Sequence, residues 1–217
     1  MRILSICNQK GGVGKTTTAV NLSAYIATLG RKVLLVDFDP QANASSAVGQ
    51  VRDYDKNIYH GILGYADPLE IIKPSQIQDF FYIPSGPHLS GATVELVNAT
   101  GREFFLKNFL NKLAGKYDYI IIDLPPSLSL LTINGLIASQ EVLIPVQAEY
   151  YSLEGLSQLL ETVEMIKENL DHNIRVSGAI ITMFDRWEQL SQEVAKNLRM
   201  NFPYPCLLYT SPSPRDA

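Results

Sequence analysis

The residues best equipped for chemistry come first in the chain: Gln9-Lys10-Gly11-Gly12-Val13-Gly14-Lys15-Thr16-Thr17. An apolar run precedes them and an amphipathic stretch follows, so the glycines sit between a strand and a helix. Glycines there let backbone N–H groups turn inward, and a helix N-terminus adds partial positive charge, which together suit a phosphate. In such a loop Lys15 reaches the β- and γ-phosphates, the Thr16 hydroxyl ligates magnesium and Thr17 donates to the α-phosphate. Gly11, Gly12, Val13 and Gly14 supply the backbone cradle. The position five before Gly14, normally glycine in this pattern, is Gln9, and a second lysine, Lys10, follows it. One lysine suffices for phosphates held by the same chain, so Lys10 is expected to point outward.

Three acidic residues end apolar runs. Asp37 closes Lys32-Val33-Leu34-Leu35-Val36-Asp37, with Asp39 two residues on. Period two puts both carboxylates on one side of a strand end, where ligands of open parallel sheets bind. Asp123 closes Tyr119-Ile120-Ile121-Ile122-Asp123, the most apolar run in the chain. A carboxylate there is costly to desolvate unless a cation or donors face it.

The elements that must position these groups alternate between short apolar strands and longer amphipathic helices, the pattern of βαβ units. Strands are expected at Arg2–Cys7, Lys32–Asp37, Phe80–Ile83, Tyr119–Asp123, Val142–Val146 and Val176–Met183. Helices are expected at Lys15–Leu29, Ile58–Leu63, Arg102–Leu113, Ser152–Leu170 and Gln189–Met200, with residues 40–60 a loop leading into the second of these. The fold class is α/β, a mostly parallel central sheet flanked by helices, of the P-loop NTPase kind.

Composition removes other classes. The chain has 217 residues, 46% of them hydrophobic and 18% charged, which suits one soluble α/β domain. A net charge of -4 advertises no nucleic-acid binding overall, so DNA contact would need a local basic patch. Cys7 and Cys206 are the only cysteines, which excludes a disulfide framework and fits a reducing cytoplasm. No secretory signal or spanning segment is visible, so no stable membrane insertion is expected. His60, His88 and His172 share no spacing and read as structural or surface residues.

The arrangement Lys-Gly-Gly-x-Gly-Lys-Thr-Thr resembles the deviant Walker A loop of the ParA/MinD family of ATPases. Asp37-Phe38-Asp39-Pro40-Gln41-Ala42-Asn43 resembles the family's Asp-x-Asp-Pro-Gln-Gly-Asn switch, with Ala42 where glycine is commoner. Pro125-Pro126-Ser127-Leu128, Ile144 to Tyr151, Leu153 to Leu156 and Leu89 to Val97 also fit, pointing to the chromosome- or plasmid-partitioning branch. The resemblance implies binding of ATP with magnesium, with Lys10 crossing a dimer interface to touch the partner's ATP. Asp39 positions the attacking water, Asp123 holds magnesium as the Walker B aspartate, and Asp37 supports magnesium through water. It implies a homodimer in the ATP state that binds nonspecific DNA, a ParB-type activating partner, slow intrinsic hydrolysis and a cytoplasmic, nucleoid-associated life. The alternatives are a MinD-like membrane-positioning ATPase, marked by a C-terminal amphipathic helix, and a nonhydrolysing nucleotide switch. An iron protein of the nitrogenase type needs bridging cysteines that are absent.

Two departures stand out. Two positions beyond Asp185, where the family often has a DNA-contacting arginine, is Trp187, with Arg186 one residue early. On a turn or helix start one residue turns a side chain by about 100°, so Arg186 is expected to face elsewhere. Lys167, Lys196 and Arg199 are the other candidate phosphate contacts. The second departure is the tail. Cys206–Asp216 reads as an in-frame translation of a transposase-type sequencing adapter, so residues 1–205 are expected to be the ATPase domain, incomplete at its C-terminus, and 206–217 not native. The expected continuation is a strand, an adenine-contacting loop and a last helix. The tail is accordingly expected to pack poorly and leave the sheet edge unfilled.

Overall fold

The computed structural model describes residues 1–49, 55–149 and 152–208. Residues 50–54 of the expected 40–60 loop, Tyr150 and Tyr151, and the tail beyond Leu208 lie outside the described residues.

In chain order the elements are β1 (Arg2–Ile6), α1 (Lys15–Thr28), β2 (Val33–Asp37), α2 (Asn43–Val48), α3 (Ile58–Ile62), α4 (Pro68–Ile71), β3 (Lys73–Pro74), β4 (Phe80–Ile83) and α5 (Leu89–Glu95). A 3₁₀ turn at Arg102–Phe104 then leads into α6 (Phe105–Asn111), β5 (Tyr119–Asp123), α7 (Leu130–Ala138), β6 (Glu141–Gln147), α8 (Ser152–Leu170), β7 (Arg175–Thr182), α9 (Gln189–Asn201) and β8 (Cys206–Leu208).

The strands form one sheet in the order β3-β4-β2-β5-β1-β6-β7-β8. All neighbours are parallel except β3, which runs antiparallel to β4 at the edge. β2, β5 and β6 are buried almost end to end because helices cover both faces of the sheet. Strand alternation divides the core. Val33, Leu35 and Ile121 join Ala19 and Ala27 of α1 on one face. Leu34, Val36, Ile120 and Ile122 face the larger cluster that includes Ile58, Leu106, Leu110, Leu136, Leu159 and Leu198 from the other helices.

The six expected strands and five expected helices all form, with shifts of a residue or two at their ends. The loop expected through 40–60 instead holds α2, which starts at Asn43 where asparagine and serines had signalled a turn. α7 was missed because seven of its nine residues are buried and the other two, Leu130 and Ile133, are apolar, which erases the amphipathic period. The tail also differs from expectation: Cys206–Leu208 pairs in parallel with Ala179–Ile181, so that edge is filled. An edge strand's unpaired N–H and C=O groups accept any extended chain delivered to them, and the Ala179 N–H already bonds to the Pro205 carbonyl at 2.9 Å. The added strand buries little, with Leu207 56% exposed.

Candidate phosphate-binding site

β1 lies centrally, and the chain's later strands lie on both of its sides, so the crevice opens above the carboxyl ends of β1, β2 and β5. All the acidic and loop residues singled out above collect there. Gly12 (φ 74°) and Gly14 (φ 85°) are left-handed, a conformation that only glycine adopts without strain. A Cβ on Gly12 would meet nothing, while one on Gly14 would sit 3.4 Å from Thr182 Cγ2. The cradle is fixed from outside. Thr182 Oγ1 on β7 donates to the Val13 carbonyl at 2.9 Å, and Asn8 Nδ2 donates to the Pro145 carbonyl at 2.6 Å. Asn8 Oδ1 accepts the Lys10 N–H at 3.0 Å, tying the loop start to β6.

Lys15 is 7% exposed and folds back over its own loop, its Nζ donating to the Lys10 carbonyl at 2.8 Å. Burial lowers its pKa, opposed by the charges of Asp123, Cys7 and Asp39. An ammonium caged beside a ring of open glycine backbone is a ready anion site. Lys10, in contrast, points outward and pairs with Glu149 Oε2 at 2.6 Å, both side chains more than a third exposed. A pair so exposed is worth about 0–1 kcal/mol, so little holds Lys10 there.

The two strand-end aspartates in register, Asp37 and Asp123, lie side by side on β2 and β5 and are 1% exposed. Their environments are opposite. Asp37 Oδ2 accepts from the Ser45 N–H and Oγ–H, both at 2.7 Å, and Oδ1 accepts the Asp39 N–H at 3.2 Å. Burial still raises its pKa to about 6. Neither oxygen of Asp123 has a hydrogen-bond partner. The Thr16 hydroxyl faces the Asp123 carboxyl without proper bonding geometry and only partly offsets the burial that, with the Asp37 charge, pushes its pKa up to about 7. A buried carboxylate with two bare oxygens beside a threonine hydroxyl and a lysine fits a divalent cation held by Thr16 and Asp123. Asp37, already satisfied by Ser45, suits a support role at most through one lone pair. Asp39 is 7% exposed and closes its own turn, Oδ1 accepting the Gln41 N–H at 2.9 Å. Thr17 sits in the first turn of α1, its carbonyl taken by Asn21 Nδ2 at 2.8 Å.

Ser45 was not singled out from the sequence. Its only signal there is a serine eight residues beyond Asp37 in a polar run. The candidate DNA residues fall into two groups. Residues 185–188 form a turn before α9, the Glu188 N–H donating to the Asp185 carbonyl at 3.3 Å. The Arg186 guanidinium lies 4.9 Å from the Trp187 ring centroid, and Trp187 is 81% exposed, so cation and ring share one surface. Gln192 Nε2 donates to the Arg186 carbonyl and, with Lys196, Arg199, Phe184, Ala195 and Met200, lines a cavity of about 310 Å³. Lys167 lies apart on α8, paired with Glu164 at 2.8 Å.

No helix among the described residues is long and apolar enough to cross a membrane. The sequence matches the AAA domain family over residues 1–176. It is 48% identical over 202 residues to the chromosome partitioning protein ParA of Myxococcus xanthus, covering 93% of this chain and 71% of that protein. It is likewise 48% identical over 202 residues to the sporulation initiation inhibitor protein Soj of Bacillus subtilis, covering 80% of it. Among solved structures, cobyrinic acid a,c-diamide synthase of Mycobacterium smegmatis, with bound ADP and magnesium, superposes with a TM-score of 0.90 at 34% identity over 94% of this chain and 84% of that one.

Proposed function

Because the chain belongs to the family of the partitioning proteins ParA and Soj, we propose that it is a magnesium-dependent ATPase that drives DNA partitioning. The observation that carries this reading is the pairing of a glycine cradle folded round Lys15 with a buried Asp123 carboxylate whose oxygens have no partner. Lys15 and the loop N–H groups bind the phosphates. Thr16 and Asp123 hold magnesium, with Asp37 behind them, and the metal's charge offsets that of the phosphates. Asp39 orients the water that attacks the terminal phosphate.

Lys10 acts across a homodimer. Its loose hold on Glu149 lets it leave that partner for an anion on a second subunit, where such a cation is worth about 10³–10⁵ in rate. The ATP dimer binds DNA nonspecifically, through the Arg186, Lys196 and Arg199 surface, until a ParB-type partner stimulates hydrolysis. Sedimentation with ATP tests the arrangement. Lys10→Ala is expected to keep nucleotide but lose the ATP dimer, and Asp39→Ala to trap it. A Lys10→Ala dimer as stable as the parent's would overturn the role across the interface. DNA shift assays with ATP over a salt series test the DNA arm, and binding to anionic vesicles in place of DNA would overturn it.

In this reading the native residues of this chain run to Pro205, where the domain is still incomplete, and Cys206–Ala217 is adapter-encoded. Re-amplifying the gene from source DNA tests it: reading through Tyr204 into the same codons would overturn the assignment.

A further inference from the structure

We propose that Ser45 is a positioning residue for hydrolysis, clamping the Asp39 loop in its working shape by bridging Asp37 on β2 to Ser85 at the end of β4. The inference rests on the reading of Asp39 as the water-orienting group.

Asp39 lies on a short excursion between β2 and α2, and a carboxylate on so short a loop orients a water only if the loop's two ends are held. The near end is β2 itself. The far end is the first turn of α2, whose N-terminal residue, Ala42, offers no capping side chain and is left-handed at φ 53°. An uncapped helix start leaves N–H groups without partners. Here Asp37 supplies the missing acceptor: its Oδ2 takes both the Ser45 N–H and the Ser45 Oγ–H at 2.7 Å. Through Oδ1 the same carboxylate takes the Asp39 N–H at 3.2 Å. One carboxylate thus ties the start of the loop to its end.

Ser45 adds a second anchor. Its Oγ accepts the Ser85 N–H at 2.9 Å, so the hydroxyl gives its proton to Asp37 and takes one from the strand end beyond. Ser45 is 3% exposed and Ser85 4%, which keeps water from replacing either bond. The alignment is therefore set by four bonds that share one hydroxyl and one carboxyl. Removing the hydroxyl leaves the Ser85 N–H and one Asp37 lone pair without their partner, and it leaves the loop's far end held to Asp37 by the Ser45 N–H alone. Binding of phosphate, which uses Lys15 and the loop at β1, touches no atom of Ser45 or Ser85, and Asp37 keeps its place behind magnesium through the Ser45 and Asp39 N–H groups.

The test compares Ser45→Ala, Ser45→Cys and Ser45→Thr in the full chain. The cysteine variant nearly keeps the volume and weakens the hydrogen bonds; the threonine keeps the hydroxyl. Before any nucleotide is added, amide exchange over residues 39–46 should speed by about tenfold in the first two variants and stay near parental in the third. With magnesium and ATP, the first two should bind within about threefold of the parent, turn over at least about tenfold slower and hold the ATP dimer longer, and Ser45→Thr should restore turnover. Unchanged exchange in both weakened variants, or a loss of ATP affinity equal to the loss of turnover, would overturn the clamp. If the parent itself binds ATP without hydrolysing it, the ATPase reading fails; the exchange measurement still decides whether Ser45 holds the loop.

Discussion

Two buried carboxylates, at opposite ends of the same sheet, show how differently the molecule treats charge. Glu141, at the start of β6, is only 9% exposed, yet Arg2, Arg175 and Ser177 all donate to it. Those bonds outweigh its burial and hold its pKa down to about 2. Asp123, at the far end of β5, is more deeply buried and has no donor, and its pKa rises to about 7. A fold under selection for stability alone would satisfy both. The satisfied end is a brace; the end left short is where a cation and phosphates belong.

The largest effect should come from emptying the cradle. Lys15→Ala removes the ammonium that faces the phosphates, and losing charge-assisted bonds of this kind costs about 3 kcal/mol or more, at least about a hundredfold in affinity. Titration with a fluorescent ATP analogue checks it, and parental affinity would break the assignment. Asp123→Asn comes next and should act in two directions. It should remove the stabilisation that magnesium and ATP give, yet raise the nucleotide-free protein's stability by about 1–2 kcal/mol at pH 8 and little at pH 5. The sign follows from linkage: the carboxyl keeps its proton in the fold up to about 7, so stability is present at low pH and lost as pH rises through that value. Asp37, raised to about 6, adds to the same slope. Melting curves with and without magnesium and ATP across pH 5 to 8 measure both.

Glu141→Gln should mirror this at the other end. A depressed pKa contributes stability above the unfolded value and loses it as pH falls toward about 2. The variant should therefore lose about 1–2 kcal/mol at pH 7 and much less in acid, with nucleotide affinity unchanged. Together the two ends predict that the nucleotide-free protein is most stable at about pH 4, where Glu141 is already ionised in the fold and the two raised aspartates still keep their protons; an apo stability that rises steadily to pH 8 would contradict the comparison.

Much of this contrast was legible in the sequence because strand ends announce themselves: Asp37 and Asp123 each close an apolar run, and Gly14-Lys15-Thr16 opens a helix. What stayed hidden depended on partners far along the chain. Nothing near Glu141 signals Arg2 or Ser177, which reach it only because β1, β6 and β7 lie side by side. Ser45 read as a loop serine because its worth lies in Asp37 and Ser85. α7 carried no helical period because even its least buried positions, Leu130 and Ile133, are apolar. The strand at Cys206–Leu208 was invisible because the sheet edge, more than the tail's sequence, accounts for its pairing.

Backbone strain repeats the comparison on a smaller scale. Among the described residues four that are not glycine are left-handed: Ala42, Asp79, Asp171 and Met183. The aspartates lie at the braced end, just before β4 and just after α8, and aspartate tolerates that conformation. Ala42 and Met183 lie at the nucleotide end, in residue types that do not. At Ala42 the strain costs about 1 kcal/mol, and glycine would relieve it. Ala42→Gly should therefore gain that strain energy and give back part of it as unfolded-state entropy, leaving about 0–0.5 kcal/mol of net stabilisation, the smallest effect expected. If the Ser45 bonds already define the loop, turnover should change less than twofold. A destabilisation of about 1 kcal/mol, read from denaturant midpoints at constant slope, would mean that Ala42 rests without strain, and the contrast between the two ends would then lie in charge alone.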